Sequence, residues 1–214
     1  MKVDVFIPSS YRSQRLKQTI DSIRSTTPEV DILVICPRDD FDSIELAGEN
    51  VYVFTDRINQ SFPHRIKKLY GLSDADWFLT GADDIIFHEG WLDEAKKYMD
   101  YSHVISFQDL CNPHLPGTNF LIRRKYIEEF GATIDEKPGE IFWTGYTHNY
   151  CDNEIVFVAT WRRAFYQCDG IIEHFHPTIQ KASWDRMYQI AKDAEFEDAR
   201  KFHERIGIWE SSHS

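Results

Sequence analysis

The sequence has 214 residues, 42% of them hydrophobic and 14% aromatic, which is enough for one domain with a sizeable core. Its formal net charge of −11 excludes a protein that coats nucleic acid or an anionic membrane, because both need a positive surface. The four cysteines, Cys36, Cys111, Cys151 and Cys168, are scattered with no Cys-x-x-Cys pair and read as free thiols of a reducing compartment.

The opening residues run straight into a strand and lack a leader's apolar core, and no stretch is apolar enough to span a bilayer. A cytoplasmic protein without membrane insertion is the expectation. Val3 to Ile7 is strand-like and ends in the loop composition Pro8-Ser9-Ser10. Ser13 is a candidate N-cap for a helix in which Leu16, Ile20 and Ile23 recur at helical spacing. Strands follow at Asp31 to Cys36 and Val51 to Phe54, then a helix opened by Pro63 and running through Leu72. A fourth strand begins at Trp77. A helix from Gly90 to about Met99 and a fifth strand from His103 to Phe107 come next. Thr118 to Ile122 reads as a strand, and a short helix from Arg124 is stopped by Gly131. Residues 132–150 are irregular, and Asp152 could cap a helix through Ala159. Ala164 to Cys168 and Ile171-Ile172 predict a hairpin around Asp169-Gly170, with one or two amphipathic helices between Ser183 and Ile206. Strand and helix alternating in this way predict an α/β fold, a mostly parallel, Rossmann-like sheet with helices on both faces, as a single domain over 1–214.

The chain centres on Trp77-Phe78-Leu79-Thr80-Gly81-Ala82-Asp83-Asp84, an apolar run that ends in two adjacent carboxylates. Ligands in open α/β sheets bind at the carboxyl ends of strands. Two neighbouring carboxylates there call for a cation or a basic partner, and Mg²⁺ or Mn²⁺ shared with phosphate oxygens is one that fits. Polar clusters stand at the ends of the other strands as well: Ser9 to Arg12, Asp39-Asp40, Asp56-Arg57 and Gln108-Asp109. Basic runs occur at His64 to Lys68, Arg123 to Lys125 and Arg162-Arg163. Asp152 and Glu154 lie at a helix start, where a carboxylate is either a cap or a base. His174 and His176 share one face of an extended segment.

In order and spacing these pieces resemble the small glycosyltransferases of the glycosyltransferase-A fold, in the broad family-2-like group, most of all the compact forms of phage and bacterial genomes. Phe6 to Arg12 is similar to that family's first strand and nucleotide loop, and Leu79 to Phe87 followed by Gly90-Trp91 to its Asp-x-Asp segment. Gly117 to Arg124 is similar to its acceptor-side strand, Tyr150 to Glu154 to its catalytic-base segment, and Glu173 to Pro177 with Lys181, Asp185 and Tyr188 to its C-terminal histidine element. The resemblance implies a nucleotide-sugar-binding half over 1–109, an acceptor and catalytic half over 110–180, and a C-terminal helical extension over 181–214. Pro8, Ser9, Tyr11, Arg12 and Asp39 would hold the nucleotide, with Arg65 or Lys68 assisting at the diphosphate. If Asp84 is the second Asp of Asp-x-Asp, Ala82 occupies the first position, which leaves Asp84 with His174 and His176 for a divalent metal and Asp83 for ribose or metal-bound water. Asp152 is the implied base and Glu154 the reserve, while Asn119, Trp143 and Tyr146 are expected on the acceptor side.

The expected activity is an inverting transfer of one hexosyl or pentosyl unit from a nucleoside-diphosphate sugar, a UDP-sugar above all, to an acceptor hydroxyl, with Mn²⁺ or Mg²⁺. No obligate protein partner is evident. The phage resemblance implies a hydroxymethylated pyrimidine of DNA as acceptor, flipped out of the duplex. The charge opposes that unless the runs at Arg123 to Lys125 and Arg162-Arg163 flank the cleft. A soluble or lipid-linked glycan, or a relic that binds donor without turnover, are the alternatives.

Overall fold

The computed structural model describes residues 1–111 and 116–213. Strand β1 (Val3–Pro8) is followed by helix α1 (Ser13–Thr26), β2 (Asp31–Pro37), a short α2 (Phe41–Ile44), β3 (Val51–Asp56), α3 (Phe62–Leu72) and β4 (Trp77–Thr80). Strands β3, β2, β1 and β4 lie side by side, all parallel, with helical crossovers. Beyond β4 the sheet continues as β7 (Phe120–Arg123), β6 (Val104–Gln108), β8 (Phe165–His174) and β5 (Ile85–Phe87), eight strands in all. β7 is antiparallel to both neighbours, β6 and β8 are parallel, and β5 closes the edge antiparallel to β8. The sheet is therefore mostly parallel, with helices on both faces.

Two apolar layers explain the near-continuous hydrophobic runs of the central strands, which are buried on both sides. On one face, Val5, Ile7 and Leu79 pack under Leu16, Ile20 and Ile23 of α1. On the other, Phe6 and Phe78 stack with ring centroids 5.0 Å apart, beneath Ile66 and Leu69 of α3 and Ile155 and Ala159 of α6 (Cys151–Trp161). Helix α4 (Trp91–Lys96) seats the fully buried Trp91 against Phe87 and Phe107. Its N-cap, Gly90, adopts φ 77°, a left-handed value that a side chain disfavours. Gly131 plays the matching part after α5 (Arg124–Phe130), with φ 64° and its N–H returned to the Ile127 carbonyl at 2.9 Å.

Local readings differ from the structure at three places. Ser13 is the first residue of α1; Arg12 occupies the cap position and no side chain caps the helix. The acidic strand stops at Thr80, so Asp83 and Asp84 stand in a turn before a separate strand, β5. Asp169-Gly170 turns no hairpin, because β8 runs straight through it. Its register with β6 jumps from Ser106–Gln167 to Gln108–Ile171, so the turn-forming pair is absorbed as a bulge. The C-terminal segment, expected as one or two helices, is a single helix, α7 (Arg186–His213), of 28 residues and about 42 Å.

Candidate active site at the strand ends

Parallel pairing of β1, β2 and β4 brings the loops after Pro8, Pro37 and Thr80 to one edge of the sheet. The first loop turns sharply: Ser9 donates its N–H to the Ile35 carbonyl at 2.9 Å, and Tyr11 takes φ 54°, uncommon for a residue with a side chain. The strand-end carboxylates of β2 hold that conformation. Asp40 accepts the Tyr11 N–H at 2.6 Å, and Asp39 accepts the Tyr11 hydroxyl at 2.7 Å. Beneath this edge lies a cavity of about 740 Å³. Its wall includes Pro8, Ser9, Tyr11 and Arg12 from the first loop, Asp83 and Asp84 from the turn after β4, and Arg65 from α3. Asn119, Asp152, His174 and His176 complete it from the other half of the chain.

The acidic corner carries its own counter-charges. Asp83, 4% exposed, accepts from Ser9 Oγ at 2.8 Å and from Arg12 at 3.0 Å. Burial pushes its carboxyl up to about 6, with Arg12 pulling against it and Asp84 adding to it. Asp84 has His174 Nε2 at 3.4 Å on one oxygen, and the Tyr188 hydroxyl at 2.7 Å and Arg12 at 3.4 Å on the other. Burial disfavours its charge, yet His174, Tyr188 and Arg12 together outweigh that and hold it below the usual carboxylate range. His174 is correspondingly raised, its burial overcome chiefly by the hydrogen bond to Asp84. Asp185 then clamps Arg12 from outside with contacts of 2.7 and 2.9 Å.

Among the described residues, no three His, Cys, Asp or Glu side chains stand together as a metal cluster. The donor chemistry still suits a divalent ion held jointly with a diphosphate. Such ions keep several waters and need only one or two protein oxygens or nitrogens, and Asp84 with His174 provides that pair on the cavity wall. His176 is a step further out: its Nδ1 lies 2.8 Å from Thr178 Oγ1, and its ring centre is 5.2 Å from that of His174.

Asp152 sits half-buried in the first turn of α6 and faces the cavity. Burial raises its carboxyl above the ordinary range, while backbone amides at the helix start oppose the shift. That combination makes a better proton acceptor than an exposed aspartate. Glu154 is placed differently. It is 1% exposed, outside the cavity wall, and both its oxygens are engaged, one by the Ile134 N–H at 2.8 Å and the other by the Tyr146 hydroxyl at 2.7 Å, with Arg205 reaching both. Tyr146, 1% exposed, belongs to that buried network, and Trp143 lies edge-on to it beneath the Arg205 guanidinium. Neither lines the cavity, so the aromatics of the irregular loop serve packing in this structure. Lys68 also turns away, to the Thr55 carbonyl at 3.0 Å and Asp56 at 3.4 Å. Arg65 instead is 4% exposed, donates to the Ser9 carbonyl and Ser10 Oγ, and props the first loop from below.

Three contributors were not assigned a role from sequence. Tyr188 bonds Asp84 from the first turn of α7, and His148 and Asn149 line the cavity beside Asp152. The sequence signals for Tyr188 are its place beside Asp185 after the His174-His176 element and its phase on the inward stripe of a helix.

The sheet order, the acidic turn after β4 and the cavity at the strand ends define the glycosyltransferase-A fold. Among solved structures, the chain is similar to S. aureus TarS residues 1–349, at 10% identity and a TM-score of 0.59, over 81% of this chain and 58% of that one. The UDP complex of the same TarS region gives a TM-score of 0.60. The mannosyltransferase PcManGT from Pyrobaculum calidifontis, in complex with GDP-Man and Mn²⁺, also matches at 10% identity and 0.60, over 81% of this chain and 56% of that one. The chain thus spans less than three-fifths of the length of these relatives. No protein-family model and no curated protein matches the sequence.

Proposed function

We propose that the protein is a cytoplasmic glycosyltransferase that moves one sugar from a nucleoside-diphosphate sugar to an acceptor hydroxyl with inversion. The observation that carries this reading is that Asp84, His174 and Asp152, distant in the chain, line one cavity at the ends of parallel strands. The neighbours' UDP and GDP-Man complexes support a nucleotide-sugar donor, and we take a UDP-sugar as the first candidate.

In the reaction the acceptor oxygen attacks the anomeric carbon from the side opposite the diphosphate. Its proton passes to the Asp152 carboxylate as the bond to the diphosphate oxygen breaks, and negative charge grows on that oxygen. Arg12 supplies positive charge at the cavity wall where the leaving group would lie, and His174 adds to it while protonated and free of metal. Asp84 and the His174 imidazole, once it has given up its proton, would hold a Mn²⁺ or Mg²⁺ ion, which when bound adds charge neutralisation for the diphosphate. The first loop, with Tyr11 pinned by Asp39 and Asp40, offers the rigid shelf on which a nucleotide would rest.

For the acceptor we favour a soluble or lipid-linked glycan. A DNA acceptor calls for basic runs beside the cavity, and Arg123 to Lys125 and Arg162-Arg163 are not among its lining residues, which supports the glycan. Arg123 ends β7, which is antiparallel, and pairs with Trp77 at the opposite edge of the sheet. Arg124 donates to the carbonyls of Ala75, Tyr70 and Ser73, and Arg162 to Gly131, Tyr126 and Glu136.

A thermal-shift screen of nucleotide sugars, followed by nucleoside-diphosphate release with Mn²⁺, tests the reading. Asp152→Asn is expected to lower release about 10²-fold or more while donor affinity stays within twofold. A parent protein that binds donor with no release against any acceptor would establish the relic instead.

A further inference from the structure

We propose that Asp198 of α7 is a positioning residue that clamps the 147–149 turn and thereby sets the cavity wall around Asp152, an inference that rests on the reading of Asp152 as base. Asp198 is fully buried. Its carboxylate accepts the backbone N–H groups of three consecutive residues: Thr147 at 3.0 and 3.1 Å, His148 at 2.9 Å and Asn149 at 3.0 Å. Successive amides pointing one way form a concave anion site. Here the anion comes from the chain itself, about 50 positions downstream. Two further contacts from α7 reinforce the clamp. The Ala191 carbonyl accepts Asn149 Nδ2 at 2.7 Å, and Lys201 donates to the Gly145 carbonyl at 2.9 Å.

The clamped residues are the wall of the cavity. Thr147, His148, Asn149 and Tyr150 all line it, and Asp152 follows after Tyr150, whose φ of 65° is held at the start of α6. Thr147 and His148 are exposed, and beyond the tilted contact of His148 with Phe62, ring centres 5.8 Å apart, the turn rests on these polar contacts. Helix α6, by contrast, is anchored by Cys151, Ile155, Val158 and Ala159, and the far end of α7 by Trp209 against Phe157. Losing the Asp198 carboxylate would therefore free the turn and leave both helices attached. The hydrogen bonds and ion pair of Asp198 go to residues 147–149 and Lys201, so the donor side at the ends of β1, β2 and β4 would stay as it is.

The test compares the full chain with Asp198→Ala and with Asp198→Asn, which keeps the volume and one acceptor oxygen. Hydrogen exchange is expected to speed up at least tenfold over residues 145–150 in Asp198→Ala, with β1 and β4 unchanged. Turnover should fall at least tenfold with donor KM within twofold of the parent, and Asp198→Asn should fall less. Unchanged exchange in the turn, unchanged kcat, or a loss of kcat matched by an equal rise in donor KM would overturn the proposal. If the parent itself turns over no donor, the function proposed above fails, and the exchange measurement alone then decides the role of Asp198.

Discussion

Asp152 and Glu154 show what two positions along a helix mean. Residues i and i+2 point about 200° apart, so one of the pair must turn from the cavity when the other enters it. The sequence therefore held the information that the two carboxylates cannot share a role, although which one faces inward depends on how α6 is rolled against the sheet. Glu154 is tied to Arg205, which also reaches Asp135 at 3.0 Å, so neutralising Glu154 removes the buried partner of that network. Glu154→Gln is thus expected to lower unfolding free energy by about 3 kcal/mol in denaturant titration. Asp152→Asn, lacking such a pair, should leave stability within about 0.5 kcal/mol of the parent. Equal losses in both variants would contradict this division.

At the scale of elements, β8 carries the chief departure from expectation, and α7 resolves the C-terminal segment to one helix. The Asp169-Gly170 pair has the composition of a hairpin turn, but a strand adjoining β6 had somewhere to place two extra residues, and pairing on both sides outweighed local preference. Along α7, Ala191, Asp198, Phe202, Arg205 and Trp209 recur at spacings of three, four and seven, which is one helical face. Two charged residues in that stripe are a sign of buried polar anchoring, legible once the helix is known to be continuous. Trp209, 2% exposed, packs edge-on to Trp161 at 5.2 Å between ring centres. Trp209→Ala is expected to cost about 3 kcal/mol. That would lower the melting temperature by about 6–12 °C in a calorimetric scan, and a shift under 2 °C would mean the far end of α7 adds little.

For the whole molecule, the acidic balance of −11 coexists with a site whose central carboxylates are internally neutralised. Burial alone would lower the His174 pKa, but its bond to Asp84 dominates and raises it from the ordinary 6.5 to about 10. The folded state therefore binds more protons than the unfolded state between those values, so stability falls as pH rises through that window. The contribution of His174 is complete below about pH 6.5 and gone above about pH 10. In metal-free buffer, the melting temperature of the parent should decline from pH 6.5 to 9.5 more steeply than that of His174→Gln. Parallel profiles would remove the ion pair from the account.

The alternation of apolar strands with amphipathic helices, the acidic turn after the central strand and the polar strand ends are local patterns. They determined the sheet, its helical layers and the edge where ligands would gather, because side-chain period and loop chemistry are properties of short segments. Tertiary structure alone decided that Asp152 faces the cavity and Glu154 the core, that Trp143 and Tyr146 pack away from it, and that α7 returns across the fold to bring Tyr188 to Asp84 and Asp198 to the 147–149 turn. Those contacts join residues 50 to about 100 positions apart. They follow from the roll and path of whole helices, which no short window of sequence encodes.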